Sequence, residues 1–396
     1  MQSLLETEDE TLLRDSARGF LKDASPVGGL RENREKSRAY DPGLWREMAQ
    51  MGWSGVLVPE TEGGADMGHR AAGILCEEMG TVLAASPFIS TSVVAASALR
   101  NAATDRARHS LTQIAEGAIT YALAIDESAK FAPTATALTA AKAGNGFTLT
   151  GRKGFVADGG SADRLLVLAR TGGAPGEARG LTLFDIEADR AGISRTATPT
   201  VDSRDHARID LMGVSVTGDD IIGELDNGLA AIRHGLEAGQ AAVAAELAGV
   251  AGGAYAMTVG YLKERKQFGR TIGAFQALQH RAAHLWSEIE VTASAIANAG
   301  RVLDEAPDQA TMAVSLAKAR ATSTGSPASR RSTKFTPLTT RPASTSRHGM
   351  TRALRIPATL PGADRAEGLG EGKGVAVGRG VAEGRGVGEG LTTCGL

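Results

Sequence analysis

Cysteine is nearly absent from this chain of 396 residues, and the two present, Cys76 and Cys394, cannot build a disulfide framework. That scarcity fits a reducing compartment. Charge of one sign is lacking too. The formal net charge of -2 leaves no electrostatic footprint for nucleic acid or an anionic membrane. The opening residues, MQSLLETEDETLL, are acidic and amphipathic and lack the basic-then-apolar order of a signal peptide. No unbroken apolar run of about 18 residues occurs, so nothing is expected to span a membrane. These absences leave a cytoplasmic enzyme as the default expectation.

What is present suits a large globular protein. At 396 residues with 42% hydrophobic and 22% charged residues, two or three domains are expected. Residues 1–118 read mainly as helices. A first helix is marked by Leu4, Leu5, Leu12 and Phe20, and a connection follows near Pro26 to Leu30. A short helix from Pro42 to Met51 starts on Pro and ends before Gly52. Further helices run over Ala71 to Leu83, Ser92 to Arg100 and Ala107 to Glu116. The first of these holds Cys76, which reads as a small core hydrophobe.

From residue 119 the period changes from helical to two. Ile119, Tyr121, Leu123 and Ile125 alternate as in a half-buried strand. Asn145-Gly146 signals a hairpin, and strands are expected over Leu165–Ala169, Leu181–Ile186, Ile193–Thr198 and Ala207–Leu211. Without helix-length gaps between them, residues 119–224 form an antiparallel β domain. Residues 225–322 return to helical spacing. The fold class is therefore α+β multidomain: helical, then antiparallel β, then an incomplete helical bundle.

One stretch, Tyr261 to Leu285, carries most of the functional signal. Val243, Leu247, Val250, Ala254 and Thr258 lead into it at helical steps, and Phe275, Leu278, Ala282 and Leu285 lead out. Between the two helices lies a corner with Arg265, Gln267, Phe268 and Gln276. Basic residues closing a helix, with Gly269 as its cap, would be an ordinary C-terminus. A fork-shaped cation, two amides and an aromatic ring in one corner also suit a ligand with both a phosphate and a flat ring.

The segment ERKQFGRTIGAFQALQH resembles the flavin-binding signature of the acyl-CoA dehydrogenase family, R-x-Q-F-G followed by I-x-x-F-Q-x-x-Q. Arg265, Gln267, Phe268, Ile272, Phe275, Gln276 and Gln279 fall on that pattern. LWREMAQMGWSGVLVPETEGG extends the resemblance into the N-terminal domain. The resemblance implies FAD as cofactor, an acyl-CoA substrate, and an electron-transfer flavoprotein or similar acceptor. It also implies a homo- or hetero-oligomer, because in the family this corner reaches the FAD pyrophosphate and adenine of a neighbouring chain. GRKGFVADGGSADRLLVLAR is similar to the family strand that backs the flavin ring. The resemblance implies that Phe155 falls where an aromatic usually covers one ring face, and Val156 and Ala157 where the family's chain runs alongside the isoalloxazine. Ala157 stands where the family often has a hydroxyl, and D-E-S-A-K-F from Asp126 to Phe131 replaces the usual E-P-G-x-G-S loop.

The family's α-proton-removing Glu is missing from both of its usual places. No H-G-G-x-G segment precedes a C-terminal base, and the alternative helical position is Gly239, followed by Gln240. Glu237 and Glu246 lie nearby at helical spacing, with surface or i,i+4 roles expected for each, so no catalytic base is assigned. Composition breaks near residue 323. Residues 323–396 hold eleven basic against five acidic residues and no hydrophobic period, so a disordered tail and a shift of coding frame are expected there. In style the chain is similar to bacterial small subunits of the pimeloyl-CoA dehydrogenase kind. The rival function is a non-catalytic partner that completes the FAD site of a homologous chain.

Overall fold

The structure, a computed structural model, describes residues 6–335 apart from 26, 36–38, 103 and 201. Helix α1 (Glu8–Ala24) opens on a capping box in which Thr7 and Glu10 satisfy each other's backbone N–H groups. α2 spans Val27–Glu35, where the sequence suggested only a connection. Its two glycines are poor helix formers, and packing overrides them: Leu30 sits in a small core with Leu83 and Ala85. α3 (Pro42–Gln50) carries Pro at its first turn, as read, and Asp41 caps it. α4 (Gly68–Val82) buries Cys76, and burial pushes that thiol well above its usual range, so it is packing material. A π-helical turn, Ile89–Ala95, runs directly into α5 (Ala96–Arg100), and α6 (Asp105–Ala115) follows.

Seven strands then build most of one sheet: β1 (Tyr121–Ala124), β2 (Thr139–Ala143), β3 (Gly146–Ala157), β4 (Arg164–Arg170), β5 (Leu181–Glu187), β6 (Ile193–Ala197) and β7 (His206–Val216). The short β8 (Ile221–Ile222) completes the order β6-β7-β3-β2-β4-β5-β8. The sheet departs from the antiparallel expectation at β4, which lies parallel to β1 in register Tyr121↔Arg164 and parallel to β2 at Thr139↔Arg170. The intervening β2–β3 hairpin supplies the chain length that a parallel crossover needs. The two-residue loop of that hairpin is Gly144–Asn145, with Gly144 at φ +58 taking the left-handed position. Alternation on β4 and β5 divides two cores. Leu166, Leu168, Leu181 and Leu183 face the helices, while Leu165, Val167, Phe184 and Ile186 face the sheet's own interior.

The C-terminal helices are α7 (Gly228–Glu264), α8 (Gln276–Glu305) and α9 (Ala310–Phe335). α7 is long and apolar enough to cross a bilayer by length and composition, which the absence of an unbroken apolar run had not suggested. It is instead the central helix of the bundle. Ala244 and Leu247 pack with Leu303 and Val314 of its neighbours, and Gly249 lies so near Glu77 that a Cβ there would meet its carbonyl oxygen at 1.9 Å. The end of α8 caps α4, since Asp304 accepts from the backbone N–H of His69 at 2.7 Å. α9 continues past the composition break as far as Phe335, and Thr324 bonds Thr292 of α8 at 2.8 Å. Trp286, Val291, Met312 and Leu316 each stand more than half exposed on α8 and α9. The expected tail from residue 336 onward lies outside the described residues.

Candidate active site

A cavity of about 290 Å3 opens where the sheet meets α7 and the π-helical turn. The sheet contributes Phe155, Val156 and Ala157, three of the residues expected beside the flavin, together with Leu123 and Ile125 from β1 and just beyond it. α7 contributes Leu236, Gly239, Val243 and Glu246, and the π-turn contributes Ile89, Ser90 and Val94.

The sheet wall is irregular at this point. The β3–β7 register shifts between Lys153 and Val156, a bulge of the kind that re-aims side chains beside active sites. Phe155 at φ +53 and Asp158 at φ +56 both sit in the left-handed region, which costs non-glycine residues about 1–2 kcal/mol each. The bulge leaves Phe155 40% exposed beside a fully buried Val156.

The unusual D-E-S-A-K-F loop is held from below. The Lys153 side chain is fully buried and donates to the Ile125 carbonyl at 3.0 Å and to Glu127 Oε1 at 2.7 Å. Burial pulls its pKa down to about 8, against the opposing pull of Glu127. Glu127 also accepts from the backbone N–H groups of Ala137 and Leu138. A buried ion pair thus does the fixing that Pro and Gly would do by backbone restriction.

Carboxylates gather on one side of the cavity: Asp158, Asp202, Asp205 and Glu246, with Arg204 among them. Arg204 pairs with Glu246, which holds the guanidinium charged. Asp158 accepts from the Ser90 hydroxyl. Burial pushes its carboxyl up to about 7; Asp205 and Glu246 push the same way, while Ser90 and Arg204 oppose.

The Arg265 corner lies elsewhere: none of its residues lines the cavity. α7 ends at Glu264 with Arg265 as its cap, and a tiny hairpin follows, β9 (Lys266–Gln267) against β10 (Arg270–Thr271). Gly269 is therefore a turn residue and not the helix cap. Phe268 and Gly269, at φ +53 and φ +77, supply the two left-handed positions of a type I′ corner. Phe268 is 90% exposed and edge-on to Phe275, whose ring the Arg270 guanidinium covers at 4.2 Å. Among the described residues the Arg265 guanidinium has no hydrogen bond or ion pair. Gln276 is exposed, and the Gln267 amide reaches only the Lys266 carbonyl, at 2.8 Å.

Comparison with known proteins decides the family. The model of the acyl-CoA dehydrogenase N-terminal domain matches residues 7–118, and that of the C-terminal domain matches residues 226–333. A solved structure, the Tcur3481-Tcur3483 steroid ACAD, is 32% identical, with a TM-score of 0.73 over 83% of this chain and 86% of that one. The chain belongs to the acyl-CoA dehydrogenase family. A 3-(aryl)acrylate reductase of Clostridium sporogenes is 29% identical over 323 residues, which is 78% of this chain and 83% of that protein. The electron transferring flavoprotein structure of Acidaminococcus fermentans is 25% identical, with a TM-score of 0.79 over 89% of this chain and 93% of that one.

Acyl-CoA dehydrogenases are oxidoreductases acting on CH–CH groups, and the missing base is the open question in this member. Gly239 lines the cavity, and a Cβ there would sit 2.7 Å from Val94 Cγ2. Glu237 is buried away from the cavity, with Oε1 accepting from Thr311 at 2.6 Å. Glu246 reaches the cavity but is tied to Arg204. Sequence reasoning missed Asp158, Ser90 and Arg204. Asp158 directly follows the Phe155–Ala157 stretch, and that adjacency was the one available signal.

Proposed function

We propose that this protein is an FAD-dependent acyl-CoA dehydrogenase. It acts in the cytoplasm as a homo- or hetero-oligomer of related subunits and introduces a double bond between Cα and Cβ of an acyl-CoA thioester. The cavity carries this reading. It joins a bulged backbone edge, an apolar wall of Leu236 and Val243, and a carboxylate cluster, a combination suited to a flat ring stacked on an acyl chain.

The residues fit FAD. Phe155 and Ala157 are exposed at the bulge, and among the described residues the Arg265 guanidinium has no partner, which leaves its fork of donors open to a pyrophosphate. Phe155, Val156 and Ala157 would hold the ring. Arg265, Gln267, Phe268, Phe275 and Gln276 would hold the phosphate and adenine end belonging to a neighbouring subunit. Bound FAD supplies a hydride acceptor. Ala157 offers the ring no side-chain hydrogen bond, so orientation falls to the backbone there. Leu236, Val243 and Val94 exclude water from the acyl chain, and the Lys153–Glu127 pair fixes the loop from which Asp126 and Phe131 line the cavity. An electron-transfer flavoprotein or similar acceptor is our proposed electron acceptor, as membership of the family implies.

A second reading is a subunit that completes the FAD site of a homologous chain. It is favoured by Gly239 and by a relative whose name pairs Tcur3481 with Tcur3483. Visible spectra of the purified protein, alone and with such a chain, separate the two. Flavin bleached by acyl-CoA in the isolated protein supports the enzyme; bleaching only after the second chain is added supports the partner.

A further inference from the structure

We infer that Asp158 is the proton acceptor for the α-carbon of the bound thioester, a role that rests on the dehydrogenase reading above. Position argues for it first. Asp158 follows Ala157 directly and lines the same cavity as the apolar wall and Gly239.

The other carboxylates on the cavity are committed elsewhere. Glu246 is paired with Arg204. Asp205 accepts from the Ser161 N–H and hydroxyl, at 2.9 and 2.8 Å. Asp202 accepts from Thr200 and from the Arg204 N–H at 3.2 Å. Asp126 has its Oδ1 sealed among protein atoms and lies in the field of the Lys153 ammonium. Asp158 differs in what holds it: among the described residues its side chain has one partner, the neutral Ser90 hydroxyl on Oδ2, whereas Glu246 is held by a cation and Asp205 and Asp202 by two donors each.

Its backbone is fixed for the task. The left-handed conformation at φ +56 is maintained by Asp158 N–H to the Asp205 carbonyl at 3.0 Å and by Ala162 N–H to the Asp158 carbonyl at 2.9 Å. A non-glycine residue held in this region against its preference is a mark of functional sites.

The surroundings match the chemistry. Arg204, Asp205 and His206 face it from the approach to β7, Glu246 from α7, Ser90 from the π-turn, and the Tyr40 hydroxyl feels its charge. Burial brings the carboxyl to about 7, where a group both takes and returns a proton at neutral pH. In the step assigned to it, the Cα–H bond breaks, its electron pair passes into the thioester as an enolate, and the proton goes to Asp158 Oδ1. Nothing is oxidised or reduced in that step.

Deuterium exchange at Cα therefore reads the step by itself. The probe is 3-thiaoctanoyl-CoA, whose sulfur at position 3 carries no hydride to lose. In D2O the wild-type protein, purified with its flavin, should bind the probe and exchange its α-protons, with an acid limb near pH 7. Asp158→Asn keeps the shape, and Asn tolerates the left-handed backbone well. It should slow exchange about 100-fold or more while probe affinity stays within about threefold. Ser90→Ala removes a bond to the charged carboxylate, so the acid limb should move to higher pH. A carboxyl infrared band that titrates near pH 7 and vanishes in Asp158→Asn gives a readout independent of turnover.

Exchange by Asp158→Asn within tenfold of wild type overturns the proposal. So does a loss confined to Glu246→Gln or Asp126→Asn. Binding without exchange in the wild type also overturns it and leaves the dehydrogenase reading standing. Failure of the wild type to bind the probe overturns both.

Discussion

Gly239 on α7 and Val94 on the π-helical turn approach so closely that a Cβ at 239 would lie 2.7 Å from Val94 Cγ2. A side chain at this position, where the family resemblance places the base of one lineage, would therefore have to displace Val94. Gly239→Glu should lower the melting temperature, because overpacking a filled contact costs about 1–3 kcal/mol. Adding Val94→Ala should return part of the loss. A Gly239→Glu protein melting at the wild-type temperature would show that the contact yields.

Arg265→Ala tests the corner. A charge-assisted phosphate contact contributes about 1.5–3 kcal/mol, so FAD affinity should fall roughly 10- to 150-fold. Circular dichroism should show helix content unchanged, since the guanidinium bonds to nothing within the described chain. Unaltered FAD affinity would reduce Arg265 to the end of a helix.

Phe268→Gly separates fold from function at the same corner. Phe268 is 90% exposed at φ +53, so glycine relieves about 1–2 kcal/mol of strain and loses about 0.5–1 kcal/mol to unfolded-state entropy. Stability should change little, while oligomer formation or flavin retention should weaken. Size-exclusion chromatography and flavin absorbance would read both. A large fall in melting temperature would mean that Phe268 packs within its own chain.

The loop anchor should respond asymmetrically. Glu127→Ala leaves the buried Lys153 ammonium with the Ile125 carbonyl alone and strips the acceptor from the Ala137 and Leu138 N–H groups. That should cost about 3–5 kcal/mol in denaturant unfolding. Lys153→Met removes the charge and should cost much less. Equal losses from the two would contradict a desolvation-dominated pair.

Asp158 should also leave its mark on the pH dependence of stability. Its folded pKa of about 7 lies above the ordinary 3.8, so the folded state holds the proton more tightly. Its stabilising contribution is complete below 3.8 and is lost as pH rises through 7. Asp158→Asn lacks that loss. Its melting temperature should gain on the wild type between pH 4 and pH 7 and stay level above. A difference that does not vary with pH would mean an ordinary, solvated carboxyl.

The helix-sheet-helix order was legible because hydrophobic period is a local property, and the corner was legible because seven chemically specific residues fall within it. α2 was hidden by Gly28 and Gly29, since its stability comes from Leu30 packing against Leu83 and not from propensity. The parallel pairing of β1 depends on a partner 43 residues away, which alternation cannot name. Asp158 and the bulge at Phe155 stayed hidden for a related reason. A positive φ on a non-glycine residue is imposed by neighbours such as Asp205, and the Ser90 bond spans 68 positions. Gly239 was visible as a missing carboxylate, whereas its contact with Val94 exists only in three dimensions.

The most direct test of the central claim is the anaerobic visible spectrum of the purified protein during titration with a series of acyl-CoA thioesters. The account predicts a bound-flavin spectrum that bleaches with at least one thioester in the wild type and bleaches far more slowly in Asp158→Asn. A purified protein that takes up no flavin, alone or with a homologous chain, would contradict it.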